Sequence, residues 1–114
     1  MSEKLIEVVD NAGVVRLTIN RPKALNALNS AVLTELEAVL TELEQRNDLR
    51  AVMITGAGEK SFVAGADITE MREKTPEEAR AFASQALRTI KRLETLPVPV
   101  VALVNGFCLG GGCE

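Results

Sequence analysis

The segment that most constrains this chain is its last fifteen residues, where Val100-Val101-Ala102-Leu103-Val104 runs into Asn105-Gly106-Phe107-Cys108-Leu109-Gly110-Gly111-Gly112-Cys113-Glu114. An apolar run of strand character enters three consecutive glycines and then meets a carboxylate. Glycine lowers helix stability by about 1 kcal/mol per residue relative to alanine, so three at a strand-to-helix junction need a reason. Close strand-to-helix packing is one. The other is an anion or oxyanion site, where backbone N–H groups approach a ligand and a helix start offers its positive dipole end. Glu114, one helical step further, can move a proton at the same place. In isolation it reads as a solvated first-turn carboxylate.

The rest of the chain alternates strands and helices. Leu5–Val9 and Val14–Asn20 have strand character around a turn at Asn11-Ala12-Gly13, and Pro22 ends the second run. Val32, Leu36, Val39, Leu40 and Leu43 recur at helical spacing, predicting a helix from about Ala31 to Gln45 capped by Asn29 or Ser30. Ala51–Thr55 is a continuous apolar run, the pattern of a strand covered on both faces, and Gly56–Lys60 is a loop. Ser61–Ile68 is a strand edge or an irregular turn. Thr75-Pro76-Glu77-Glu78 is a helix start with a capping box, and Ala79, Phe82, Ala83, Ala86, Leu87, Ile90 and Leu93 form its expected buried stripe. Pro97 and Pro99 stop that helix, and Val100–Val104 is another buried strand. The order β-β-α-β-loop-α-β predicts an α/β fold. With three Phe and no Trp or Tyr, its core must be built from Val, Leu, Ile and Ala.

Charge and cysteine usage narrow the function classes. Thirteen basic and sixteen acidic residues are interleaved for a net charge of −3, which argues against nucleic acid or a membrane surface as partner. No stretch reaches transmembrane length, and Met1-Ser2-Glu3-Lys4 leads into a run too short for a secretory signal. The expected location is cytoplasmic. Cys108 and Cys113, with no His in the chain, argue against a metal site and read as two small buried thiols.

Two further glycine segments bear on ligand chemistry. Gly56-Ala57-Gly58-Glu59-Lys60-Ser61 follows a strand but lacks the Gly-Lys pair of a phosphate loop and the third Gly of a dinucleotide fingerprint, so it reads as a surface turn. Ala64-Gly65-Ala66-Asp67-Ile68 allows close backbone approach, and an amide there can donate to a ligand; alone it reads rather as a glycine-relieved bend between packed elements. Lys23, Asp67 and Glu70 read individually as surface charges.

Together, Asn20-Arg21-Pro22-Lys23-Ala24-Leu25-Asn26-Ala27-Leu28, Phe62-Val63-Ala64-Gly65-Ala66-Asp67-Ile68 and Asn105–Glu114 resemble the crotonase (enoyl-CoA hydratase/isomerase) family, in the family's order and over essentially the whole chain. Within it the likeness is to short-chain enoyl-CoA hydratases and 3-hydroxybutyryl-CoA dehydratases. The resemblance implies a spiral of repeated β-β-α units, truncated here, with residues 1–114 as the N-terminal portion of a single incomplete domain. It implies assembly of the full-length protein as a homo-trimer or hexamer. The substrate would be an acyl-CoA thioester, with coenzyme A part of the substrate and no separate cofactor.

By position, the N–H groups of Ala66 and Gly111 match the two oxyanion-hole donors, and Gly111 would gain from the helix dipole. Lys23, Ala24 and Leu25 match the segment along coenzyme A, while Ala64, Ala66, Asp67 and Ile68 line the substrate side. Glu114 matches the first of two catalytic glutamates, the second lying beyond this sequence. Cys108 stands where the family commonly has Ala. The implied reaction is reversible syn addition of water to the C2=C3 bond of a 2-enoyl-CoA, in fatty-acid or butanoate-type metabolism. The 114 residues alone are expected to be inactive and partly uncovered. Other thioester enolate chemistry such as isomerisation or dehalogenation, a non-catalytic acyl-CoA-binding or assembly module, and a fragment without ligand remain as alternatives.

Overall fold

The computed structural model describes residues 4–114; Met1-Ser2-Glu3, the start of the segment considered for a leader, lies outside the described residues. The first two strands are β1 (Ile6–Asn11) and β2 (Val14–Ile19), the second with alternating buried residues, and they pair antiparallel with Asn11 opposite Val14. Their turn is only Ala12-Gly13, with φ of 53° and 89°, the left-handed pair that suits the twist of a two-residue hairpin. β2 buries Val15, Leu17 and Ile19, whereas β1 buries Ile6 alone and forms an edge of the sheet.

β3 (Ala51–Gly56) runs parallel to β2, and β5 (Val100–Ala102) parallel to β3, giving the order β1-β2-β3-β5. Parallel neighbours require crossovers. α1 (Ser30–Glu44) lies in the first and α3 (Pro76–Thr95) in the second. Asn29 caps α1 by accepting the Val32 N–H at 2.8 Å. Val32, Leu36, Leu40 and Leu43 of α1 join Val15, Leu17, Ile19, Val52 and Ile54 in one core. Each fully buried Leu, Ile or Val contributes roughly 1.5–3 kcal/mol relative to exposure.

α3 starts as predicted, with Thr75 and Glu78 in a reciprocal capping box and Pro76 in the first turn. Its buried line differs from the predicted stripe. Phe82 and Thr89 are buried, while Ala83 is exposed and Leu87 is 59% exposed. The cause is that α3 meets α1 along one narrow side that includes polar groups. Thr89 Oγ1 lies 2.9 Å from Glu37 Oε1, and Arg92 pairs with Glu44 at 2.6 Å.

Two strand predictions also change. β3 buries Val52, Ile54 and Gly56 and leaves Ala51, Met53 and Thr55 half-buried, so its faces are unequally covered. Of the run Val100–Val104, only Val100–Ala102 is strand, and Val101, Leu103 and Val104 are exposed. β5 forms the other edge of the sheet among the described residues, so no further strand covers them.

A separate parallel pair joins β4 (Ser61–Val63) to β6 (Phe107–Cys108). After β4 the chain forms a short helix, α2 (Ile68–Arg72), which begins at the last residue of the Ser61–Ile68 stretch predicted only as an edge or turn. Asp67 caps it, accepting the Thr69 and Glu70 N–H groups at 2.9 and 3.3 Å. No described helix is long and apolar enough to cross a membrane.

Candidate functional site

The β4–β6 pair organises the site. Val63 stands opposite Cys108, and past each strand comes a glycine of positive φ, Gly65 at 103° and Gly110 at 51°. A residue without Cβ takes these conformations freely. Ala66 and Gly111 follow, each three residues beyond the paired Val63 and Cys108. Two parallel strands thus deliver two amides past the same end. The two turns touch, since a methyl built on Gly110 would lie 3.4 Å from Gly65 Cα.

Each amide is left free for its own reason. Leu28 and Ala66 form an isolated parallel bridge. The Leu28 N–H donates to the Gly65 carbonyl and the Asp67 N–H to the Leu28 carbonyl, both at 2.8 Å. In that pattern the N–H of the middle residue points away from the bridge. Among the described residues no acceptor takes the Ala66 N–H, and Ala66 is exposed. Gly111 lies in a 3₁₀ turn, Gly110–Gly112, whose first internal bond is Gly112 N–H to Leu109 carbonyl at 2.8 Å. Gly111 precedes that first bonded donor, so its N–H is one of the orphan groups of a helical start.

The helix expected to open here is this one 3₁₀ turn, continued by Glu114 N–H to the Gly110 carbonyl at 3.3 Å. Packing accounts for part of the glycine run. A Cβ on Gly112 would collide with the Val63 carbonyl, and one on Gly111 would meet Leu28 Cδ1 at 3.0 Å.

Gly111 and Glu114 border an apolar cleft of about 250 Å³ lined by Leu28, Phe62, Val63, Leu93 and Val100 among others. Ala66 does not line it; the turns that carry the two amides meet instead where Gly65 approaches Gly110. Glu94 also borders the cleft and pairs with Lys91 at 3.4 Å.

Lys23 and Ala24 lie on a short 3₁₀ turn, Pro22–Ala24, and Leu25 follows in the left-handed region. The Leu25 carbonyl accepts the Ala64 N–H at 3.2 Å and the Ser61 hydroxyl at 2.6 Å. The Lys23–Leu25 segment is thereby laced to the strand that leads to Ala66. Lys23 also borders a surface groove of about 460 Å³ with Pro22, Ala57, Gly58, Glu59, Lys60 and Ser61. Lys60 is a second cation there that sequence reasoning passed over. It sits on a glycine bend that is indeed a surface turn, and nothing local marks it as a neighbour of Lys23.

Asp67 and Glu70 are tied into the structure rather than free on the surface. Besides capping α2, Asp67 pairs with Arg21 at 3.1 Å, and Arg21 also donates to the Ala27 carbonyl at 2.7 Å. Burial works against the charged Asp67 carboxyl, but Arg21 and the Glu70 and Thr69 amides together hold its pKa below the ordinary value. Glu70 accepts the Ser30 N–H at 3.0 Å. Ile68, beside Asp67, is 74% exposed. The thiols differ from expectation: Cys108 is half-buried and Cys113 exposed, because Cys113 follows the open glycine turn. Cys113 Sγ donates to the Cys108 carbonyl at 2.9 Å.

A family model described as enoyl-CoA hydratase/isomerase matches residues 9–114. A short-chain-enoyl-CoA hydratase of Clostridium acetobutylicum is 57% identical over 101 residues, covering 89% of this chain and 39% of that protein. A crotonyl-CoA hydratase of Syntrophomonas wolfei is 47% identical over 98 residues, covering 86% and 38%. An enoyl-CoA hydratase structure from Bacillus anthracis superposes with a TM-score of 0.93 at 40% identity, covering 96% of this chain and 43% of that one. The chain spans about 40% of the length of the curated relatives it matches. Its α/β architecture is therefore a truncated portion of the crotonase-like fold.

Proposed function

Because the chain belongs to the enoyl-CoA hydratase/isomerase family, we propose that it supplies the oxyanion-stabilising part of an enoyl-CoA hydratase site and one of its proton-transfer groups. The observation that carries this reading is the pair of unpartnered amides, Ala66 and Gly111, at matched positions past two paired strands. The substrate is a 2-enoyl thioester of coenzyme A. No separate cofactor is involved.

Adding water across C2=C3 moves negative charge onto the thioester oxygen. Two unpartnered amides that both donate to that oxygen stabilise the charge, and losing one such donor typically lowers the rate by about 10²–10³. The Glu114 carboxylate, three residues past Gly111, takes a proton from the attacking water as oxygen bonds to C3. A carboxylic acid then delivers a proton to C2, completing the addition of H and OH. Each proton-transfer role is worth roughly 10²–10⁴. Glu94, the other carboxylate at the cleft, is a solvent-exposed group beside Lys91, and the acid is assigned, as the family resemblance implies, to the second glutamate outside these residues. Coenzyme A lies along Lys23, Ala24 and Leu25, with Ala64, Asp67 and Ile68 as the adjoining wall. Lys23 and Lys60, which border one groove, face its phosphates, where point charges suit phosphate oxygens.

The test is binding of butyryl-CoA and turnover of crotonyl-CoA by the chain, beside its Glu114→Gln variant. Binding without turnover is the expected result. Turnover that vanishes in the variant would show that these residues suffice and that the acid is not missing. Absence of any coenzyme A ester binding would remove the reading altogether.

A further inference from the structure

Ala66 and Gly111 follow different strands, so their separation is only as well fixed as the ties between the segments that carry them. One oxygen makes such a tie. The Ser61 carbonyl accepts Asn26 Nδ2 at 2.9 Å and Asn105 Nδ2 at 3.3 Å. Asn26 belongs to the turn that holds Ala64 through the Leu25 carbonyl. Asn105 opens the segment that leads through β6 to Gly110 and Gly111.

Both asparagine side chains have further anchors. Asn26 Oδ1 accepts the Arg21 N–H at 2.9 Å, and its Nδ2 also donates to the Ala57 carbonyl at 3.0 Å. The two N–H groups of Asn105 Nδ2 are shared among three carbonyls, with Gly56 and Gly58 at 2.8 and 2.9 Å and Ser61 as the longer branch, while Oδ1 accepts the Gly56 N–H at 3.2 Å and shares the Thr55 hydroxyl, also at 3.2 Å, with the Leu103 carbonyl. The Ser61 hydroxyl adds a second link between the halves, 2.6 Å from the Leu25 carbonyl and 3.4 Å from that of Phe107.

A simple surface loop has no need of this arrangement. Asn26 is fully buried, and its φ of 57° follows 54° at Leu25, two successive left-handed residues that are not glycine. Such backbone persists only where its surroundings over-determine it. A buried polar network with every group satisfied selects one arrangement over its neighbours.

We propose that Asn26 and Asn105 are positioning residues: by sharing the Ser61 carbonyl they set the spacing of the Ala66 and Gly111 N–H groups around the thioester oxygen. The proposal rests on the oxyanion reading above. Neither side chain is assigned a contact with substrate, so each acts through the backbone it holds.

The experiment reads the carbonyl itself. Butyryl-CoA carrying ¹³C at the thioester carbon is bound to the chain, and the infrared C=O stretch reports the donors on its oxygen. Binding to the original chain lowers the stretch. Asn26→Asp and Asn105→Asp keep side-chain size but remove the donor toward Ser61. They are expected to lose most of the frequency shift while Kd stays within about threefold. Thr55→Val, which removes a hydroxyl lying 2.9 Å from the Leu103 carbonyl and 3.2 Å from Asn105 Oδ1, gives a smaller loss in the same direction and decides the matter should either Asp variant not fold. A merely structural role would lower the unfolding temperature and leave the bound carbonyl unchanged. That outcome, in any folded variant set, overturns the proposal. A carbonyl that does not shift even in the original chain removes the oxyanion reading and this inference with it.

Discussion

Asp67 shows how much a single carboxylate does beside the candidate site. It caps α2, pairs with Arg21 and neighbours the Ala66 amide. Its pKa is lower in the folded chain than the ordinary value, so the unfolded chain binds the proton more readily. The stabilisation is therefore complete above about pH 5 and fades as pH falls through the ordinary value, about 3.9, toward the depressed one. Asp67→Ala should cost about 1–2 kcal/mol at neutral pH. It should also flatten the acid limb of a stability-versus-pH curve measured by urea unfolding; an equally steep limb would assign that slope to other groups. Gly112→Ala is a sharper case. Its Cβ would meet the Val63 carbonyl, and overpacking of this kind costs typically about 1–3 kcal/mol. Denaturant midpoints of the two chains give the comparison. At this scale the sequence shows residue types but not partners. Asp67 and Arg21 are 46 positions apart, and the matched offsets of Ala66 and Gly111 exist only once β4 and β6 are paired. The glycines themselves were visible, because a run of three violates helix propensity wherever it sits.

Elements were legible where their causes are local. The start of α3 is written in Thr75, Pro76 and Glu78, and Thr75→Ala should lower stability by about 1 kcal/mol. Its buried face was less legible, because the side that meets α1 is settled by tertiary packing. A helical wheel puts Leu87 inside, yet the folded chain exposes it and seats Thr89 against Glu37 instead. Leu87→Glu should consequently change stability by no more than about 0.5 kcal/mol. Thr89→Val, which orphans part of a polar contact, should destabilise by about 1 kcal/mol or more. Thermal unfolding of the two variants side by side distinguishes the faces, and a larger loss for Leu87→Glu would restore the wheel. Helix α2 escaped sequence reading for a related reason. Five residues carry too little periodicity to announce a helix, and its cap, Asp67, reads equally as a surface charge.

For the whole molecule, the succession of β1, β2, β3 and β5 along the chain could be read from pattern, whereas β6, the sheet order β1-β2-β3-β5 and the separate β4–β6 pair could not. Periodicity names strands without naming neighbours. The same limit explains Val100–Val104. Its apolar run signals cover on both faces, but β5 is an edge here, and Val101, Leu103, Val104, Phe107 and Leu109 are all between 40% and 56% exposed. Five large apolar side chains within nine residues exceed the scattered exposure normal for a soluble surface and mark a contact face. At a net charge of only −3, long-range repulsion does little to keep two such faces apart. The chain should therefore associate as its concentration rises, and sulfate should strengthen the association, as burial of apolar surface requires. Val101→Lys with Val104→Lys places two charges on the patch and leaves Ala66, Gly111 and Glu114 untouched. Sedimentation velocity across a concentration series should move this variant toward the monomer. If the original chain sediments as a monomer throughout, the exposed edge is not a contact face between copies of this chain.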